Sequence, residues 1–127
     1  MTETLKNKLS SFISDGIIYG VASGILNTDE MVQQAKDLID TAKKENVHRY
    51  LFDHRQVVFD FQKYDVFHLS HQLKDLGLTS DDKIAVLLPD DTSFDLWYSS
   101  FETSSVFHGN KVKLFNDEDA AVHWLKR

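Results

Sequence analysis

KIAVLLP, from Lys83 to Pro89, is the stretch that decides the fold class of this chain. A continuous apolar run before a proline is typical of a strand covered on both faces, because a half-buried strand alternates apolar with polar residues. Strands of this kind lie in the middle of α/β sheets that carry helices on both sides. The stretch therefore predicts a central strand that ends before Pro89.

Amphipathic helices are predicted on both sides of this strand along the chain. Asn27-Thr28-Asp29-Glu30 is a capping-box signal, and the apolar residues after it recur at helical spacing, which predicts a helix from about 28 to 45. Apolar stripes of the same period predict further helices at 64–76 and 93–107. A last, short helix is predicted after the acidic cap Asn116-Asp117-Glu118-Asp119.

Strands are predicted for most of the remaining segments. Lys8–Ser14 and Ile17–Ile25 flank Asp15-Gly16, a pair that tolerates the positive φ angles of a two-residue hairpin turn. His48–Asp53 and Lys111–Phe115 are short runs with strand character. The order of elements is then ββαβαβαβα. It predicts an α/β fold with one mixed sheet, made of an N-terminal hairpin plus parallel strands, and helices on both faces.

The composition bounds the functions that this chain can have. Its 127 residues are 42% hydrophobic and 27% charged, which fits one globular domain over residues 1–127. The lack of cysteine excludes thiolate metal sites and suits a reducing compartment, so we expect a cytoplasmic protein. No apolar run reaches the 18 residues of a membrane span. The net charge of -6, with basic residues scattered along the sequence, predicts no nucleic-acid partner.

The C-terminal elements of the sequence resemble those of a known family. They are the strand ending at Pro89, a helix with Phe94 and Phe101-Glu102-Thr103, and a strand, acidic cap, alanine pair and Trp-Leu within Phe107–Leu125. This pattern resembles the bacterial STAS-like family, small α/β domains of the SpoIIAA-like, anti-sigma-factor antagonist type. The predicted element order extends the resemblance over the whole chain. It implies a STAS-like fold and a non-catalytic regulatory or binding role, with a protein partner or a small apolar ligand.

The sequence departs from the antagonists at their regulatory turn. In that family a serine is phosphorylated in an Asp-Ser-Ser-Gly type turn after a central strand. The matching strand here runs into Phe52-Asp53-His54-Arg55-Gln56-Val57, which contains neither serine nor glycine. We therefore expect a regulatory module without the serine phosphoswitch.

A first candidate binding site lies at the carboxyl ends of two predicted strands. In open α/β sheets ligands bind beyond these ends, which brings Asp53, His54 and Arg55 close to Asp90 if the two strands are neighbours. Asp53 would then orient His54 as a general base while Arg55 holds an anionic substrate, which makes a small enzyme the alternative function. The competing interpretation is that Asp53 caps a turn and the other two side chains are solvated. Because no recognisable catalytic motif is present, we predict that the chain is not an enzyme.

Metal and cofactor sites are not predicted. Asp53 with Asp90 would suit a magnesium ion, and His68 with His71 are spaced to share a metal on one helix face. Each pair lacks a further ligand at a matching spacing, and two ligands do not make a site. The loops also lack the glycine-rich signatures that bind nucleotide phosphates.

A second candidate site is an aromatic connection after the same strand. Residues 57–64 are denser in aromatic side chains than solvated loops usually are. Either Phe59 and Phe61 fold under the loop into the core, or they line an apolar pocket or the contact of a homodimer. In the second interpretation Tyr64, Trp97 and Tyr98 join them.

Overall fold

The computed structural model describes residues 7–59, 72, 75–89 and 111–127. Within these ranges five strands and two helices follow one another along the chain. They are β1 (Lys8–Ser14), β2 (Ile17–Leu26), α1 (Thr28–Lys44), β3 (Arg49–Phe59), β4 (Lys83–Leu87), β5 (Lys111–Phe115) and α2 (Glu118–Lys126). The α/β class is confirmed.

The predicted order ββαβαβαβα is not matched by the described residues, which contain two helices rather than four. The helices predicted at 64–76 and 93–107 fall almost wholly outside these residues. Gln72 is helical, and Gly77 has a φ of 98°, which suits the predicted stop at that glycine. A single domain over residues 1–127 stays a prediction.

The N-terminal hairpin is confirmed together with its turn. Asp15 and Gly16 have φ angles of 57° and 78°, the positive values that a two-residue turn with right-handed twist requires. β1 pairs antiparallel with β2, from Lys8 opposite Ser23 to Ser14 opposite Ile17. The turn chemistry therefore sets the register of this pair.

The five strands form one mixed sheet in the order β1-β2-β3-β4-β5. All neighbours from β2 to β5 are parallel, so the carboxyl ends of β3, β4 and β5 lie at one edge and their amino ends at the other. β4 lies between two strands and four of its five residues are buried, which confirms the central strand.

Helices cover both faces of the sheet, as predicted. On one face, buried residues of α1 such as Leu38 and Ile39 pack with Ile18, Tyr50 and Val86. On the other, Ala121 and Leu125 of α2 pack in a cluster of buried side chains with residues of β2, β3 and β4. Neither helix is long and apolar enough to cross a bilayer.

α1 starts where the capping box predicts. The Asn27 side chain accepts a hydrogen bond from the Glu30 N–H, and the Glu30 carboxylate accepts one from the Asn27 N–H. The helix lies close to β2 because Gly20 has no side chain: a Cβ there would stand 2.9 Å from Cδ2 of Leu38. Gly20 therefore marks tight packing of the helix on the sheet.

Candidate functional site

β3 is longer than predicted, which changes the setting of the first candidate site. The predicted strand ends at Asp53 and a predicted connection leads on to residue 64, but the observed strand continues to Phe59. β2 supports the extra length, since Ser23 to Leu26 pair with Gln56 to Phe59. The prediction of a loop at 53–59 is therefore wrong. The residues that follow, from Asp60 to Lys63, also contain no serine.

A β-bulge lies at the predicted site. Val21 pairs with Asp53, but the next pair is Ser23 with Gln56, so β3 holds one residue more than β2 in this interval. The extra residue reverses which face the later side chains occupy. As a result Val57 packs in the same buried cluster as Tyr50, seven residues away, although an odd spacing in a regular strand puts side chains on opposite faces.

Asp53 and Arg55 form an ion pair across the bulge. The carboxylate of Asp53 accepts two hydrogen bonds from the guanidinium, from Nε at 2.9 Å and from Nη2 at 2.7 Å, and a third from the Arg55 backbone N–H at 3.1 Å. Arg55 Nη2 also lies 3.1 Å from Oε1 of Glu118, in the first turn of α2. The pair therefore links the bulge to the start of α2.

The pair fixes the charge state of both groups. Burial by itself raises the pKa of Asp53, but the hydrogen bonds and the positive charge of Arg55 outweigh it and hold this pKa below its ordinary value. The pKa of Arg55 is raised, first by its hydrogen bond with Asp53. Both groups are thus ionised at neutral pH, and each is engaged by the other.

His54 lies on the opposite face of the strand from this pair. Its ring is 6.1 Å from that of Phe52, which packs against the α1 side of the sheet. Only 5% of the residue is exposed, and burial lowers its pKa from 6.5 to about 4, against a smaller opposite effect of Asp53. The predicted use of His54 with Asp53 and Arg55 in one catalytic group is therefore corrected: the imidazole is neutral, buried and on another face.

The carboxyl edge does bring the two predicted strand ends together. Asp53 of β3 pairs with Leu87, the last residue of β4, so the neighbouring position that the sequence analysis assumed is confirmed. β3 then extends six residues beyond this pair. Val58, on that extension, is 59% exposed, the most exposed large apolar side chain among the described residues.

The other predicted site residues lie outside the described part of the chain. Asp90, Phe61, Tyr64, Trp97 and Tyr98 are among them, and of Phe59 the structure describes the strand position. Their role in an apolar pocket or subunit contact stays a prediction. Among the described residues no group of three or more His, Asp or Glu side chains is placed to hold a metal ion.

The role of Glu118 is not predicted by the sequence pattern. Glu118 belongs to the acidic cap of the last helix, in which Asp117 is the N-cap. Glu118 lies 63 residues from Arg55 along the chain, so no local pattern reveals that they meet.

Replacing Arg55 by glutamine is expected to raise the pKa of Asp53 above its ordinary value. The substitution removes the charge and the side-chain hydrogen bonds that lower this pKa, while burial, which raises it, remains. A titration of side-chain carboxyl ¹³C shifts measures the change. Glu118→Gln is the matched control, because it removes a partner of Arg55 and keeps the Asp53–Arg55 pair; an Asp53 pKa that stays low in Arg55→Gln contradicts the assignment.

Comparison with known proteins places the fold. No protein-family model matches the chain, and no curated protein matches its sequence. Among solved structures, the chain is similar to an anti-sigma factor antagonist from Mycobacterium paratuberculosis, with a TM-score of 0.62, 13% identity and 96% of each chain covered.

Two further structures agree with that similarity. An uncharacterised protein of the DUF3478 family from Shewanella loihica, which has a SpoIIAA-like fold, matches with a TM-score of 0.57 and 18% identity over 94% of this chain and 93% of its own. The unphosphorylated anti-sigma factor antagonist SpoIIAA matches with a TM-score of 0.50 and 14% identity over 95% and 98%. The mixed sheet, its hairpin and the helices on its two faces therefore give this chain the STAS-like, SpoIIAA-like fold, as the resemblance of its C-terminal elements implied.

Proposed function

We propose that this protein is a non-catalytic regulatory module of the cytoplasm that acts by binding a protein partner. The fold supports the proposal, because two of the similar structures are anti-sigma factor antagonists. The absence of a serine from residues 52–63 supports regulation by something other than the serine phosphoswitch of that family.

The observation that carries the proposal is how residues 53–55 are used. A catalytic base or acid has to reach a substrate. Asp53 is 8% exposed, and its carboxylate oxygens accept hydrogen bonds from the Arg55 guanidinium. His54 is 5% exposed. The charged groups of this site hold a strand bulge and a helix start in place, which is a structural use, and neither Asp53 nor His54 offers an accessible base. This disfavours the alternative of a small enzyme.

The surface proposed for the partner is the carboxyl edge of the sheet around the extension of β3. It includes the Arg55 guanidinium, whose side chain is 43% exposed, and the exposed Val58, three residues further along the strand. Arginine and aromatic residues are enriched in protein interfaces. We propose that this surface is completed by Asp90 and by the predicted aromatic residues Phe59, Phe61, Tyr64, Trp97 and Tyr98. A small apolar ligand and a second copy of the chain are the other occupants to test.

A photo-crosslinking amino acid at position 58 is expected to capture a discrete partner in extracts of the source organism. The same probe at Lys44, an exposed position at the far end of α1, is the control and is expected to give none. A product of twice the mass of the chain would replace the partner by a homodimer. No product at 58, or equal products at both positions, contradicts the proposed surface.

The captured protein then permits a quantitative test with purified components. Val58→Asp is expected to weaken the binding of the captured protein to this chain at least roughly tenfold, because the change puts a charge into the apolar part of the contact. Gln33→Asp, on the exposed side of α1, carries the same change in charge and is expected to leave binding unchanged. Thermal stabilisation of the chain by lipids, without any protein captured, would favour the apolar ligand instead.

A further inference from the structure

The amino edge of the sheet, opposite the proposed partner surface, carries a row of three cations. Arg49, Lys83 and Lys111 begin β3, β4 and β5, and the register makes each the direct neighbour of the next. Neighbouring strands lie about 4.8 Å apart, so the row spans about 10 Å. These residues are 34 and 28 positions apart in the sequence, so they form no basic cluster there. The fold brings them together.

All three side chains leave the sheet on the side of α2. Lys83 Nζ donates a hydrogen bond to the carbonyl oxygen of Trp124 at 2.8 Å and lies 4.5 Å from the centre of its ring. Register partners in a parallel sheet share a face, so Arg49 and Lys111 flank Lys83 on that side. Arg127 follows the same helix end, and its carbonyl oxygen lies 3.4 Å from Lys83 Nζ.

The cations of this row are not paired with acidic side chains of the described residues. No Asp or Glu side chain there forms an ion pair with Arg49, Lys83 or Lys111, and Asp82, next to Lys83, is paired with His48 instead. Lys126 differs, since it pairs with Asp15. The pKa of Lys83 is lowered by burial and then by the charges of Arg127, Arg49 and Lys111, which shows that these cations act on one another. Arg49 and Lys111 are exposed.

We propose that this basic row, Arg49-Lys83-Lys111 with Arg127, is a second docking surface and that its occupant is an acidic helix of a partner protein. The Cβ atoms of residues i and i+4 of a helix are about 5–6 Å apart, close to the spacing of the row, so successive glutamates are placed to meet successive cations. Lys83 is already held by the end of α2, and the exposed Arg49 and Lys111 supply the free donors. Binding through this edge leaves the carboxyl edge open.

The charge of the whole chain favours a short acidic segment over larger polyanions. At physiological salt, screening limits the range over which an exposed charge acts to about 8 Å. A helix bound at the row therefore interacts mainly with the cations of the row. A nucleic-acid duplex or an anionic membrane extends well beyond that distance and meets the rest of a protein with a net charge of -6.

The test uses an alanine-based helical peptide with glutamate at every fourth position and the same peptide with glutamine. Titrated into the ¹⁵N-labelled full chain, the glutamate peptide is expected to shift the amide signals of Arg49, Lys83, Lys111 and Arg127. The affinity is expected to fall as salt is raised, and the glutamine peptide is expected to cause no such shifts.

Two variants with equal changes in net charge separate the row from general attraction. Arg49→Gln with Lys111→Gln is expected to weaken peptide binding about three- to tenfold, whereas Lys8→Gln with Lys36→Gln, on β1 and α1, changes it less than about twofold. Equal losses in both variants, or no loss in the first, overturn the proposal. Tighter binding of duplex DNA or of phosphatidylserine vesicles to the same row overturns the choice of partner. None of these results bears on the Val58 surface.

Discussion

Acidification from pH 7 to pH 4.5 is expected to lower the free energy of unfolding by about 2–3 kcal/mol through His54 alone. The folded chain holds the pKa of this buried imidazole near 4, whereas an unfolded chain has the ordinary value of 6.5. Between these two values the unfolded state takes up a proton that the folded state does not, so stability falls as pH falls. Urea unfolding at a series of pH values measures the slope.

His54→Gln is expected to remove most of this slope while it keeps a polar side chain at the position. The variant has a different stability at pH 7, so the comparison rests on the change with pH. His123→Gln, at an exposed position of α2, is the matched control and keeps the slope of the parent. The pair of Asp53 with Arg55 also loses stability in acid, but because its pKa is lowered from the ordinary 3.8, that loss lies mainly at lower pH than the loss from His54. A parent slope of zero between pH 6.5 and 4.5 contradicts the account of His54.

Leu38→Ala is expected to cost about 2–5 kcal/mol, the largest single effect predicted for this protein. Leu38 is 1% exposed and fills the space between α1 and β2 that the absence of a side chain at Gly20 leaves open. Gly20→Ala alone is expected to cost about 1–3 kcal/mol, because its methyl group would lie 2.9 Å from one methyl carbon of Leu38 and 3.3 Å from the other.

The two changes together are expected to cost less than their sum. In the Leu38→Ala background the new methyl group at position 20 occupies part of the cavity, so its penalty disappears and the coupling is about 1–3 kcal/mol. Gly20→Ala with Leu125→Ala is the control cycle, since Leu125 is buried on the other face of the sheet and the two costs are expected to add. Urea unfolding of the parent, the three single variants and the two double variants measures both cycles. Additive costs for positions 20 and 38 would show that α1 is free to move away from β2.

Features that depend on a few neighbouring residues were predicted well. The bounds of β1 and β5 are those predicted, because a two-residue turn and an alternation of residue types are local properties. The capping box at Asn27 and Glu30 is confirmed for the same reason. The resemblance of the C-terminal elements also predicted the fold that the comparison with solved structures supports.

The error at β3 has a physical cause. Asp53, His54 and Arg55 are polar and charged residues, which sequence patterns assign to connections, and here they continue a strand. Pairing with Ser23 to Leu26 of β2 holds that strand, and the Asp53–Arg55 pair satisfies the charges that the bulge places there. A contact between segments 33 residues apart therefore overrides the local pattern.

The amino-acid order settled the hairpin turn, the start of α1, the buried centre of the sheet and the class of the fold, since each follows from hydrogen bonding or hydrophobicity within one segment. Packing of distant segments settled the rest: the strand order, the bulge, the link from Arg55 to Glu118 and the row formed by Arg49, Lys83 and Lys111. Electrostatic contacts between residues far apart in the chain exist only when the backbone has brought their strands into register, and no single segment encodes that register.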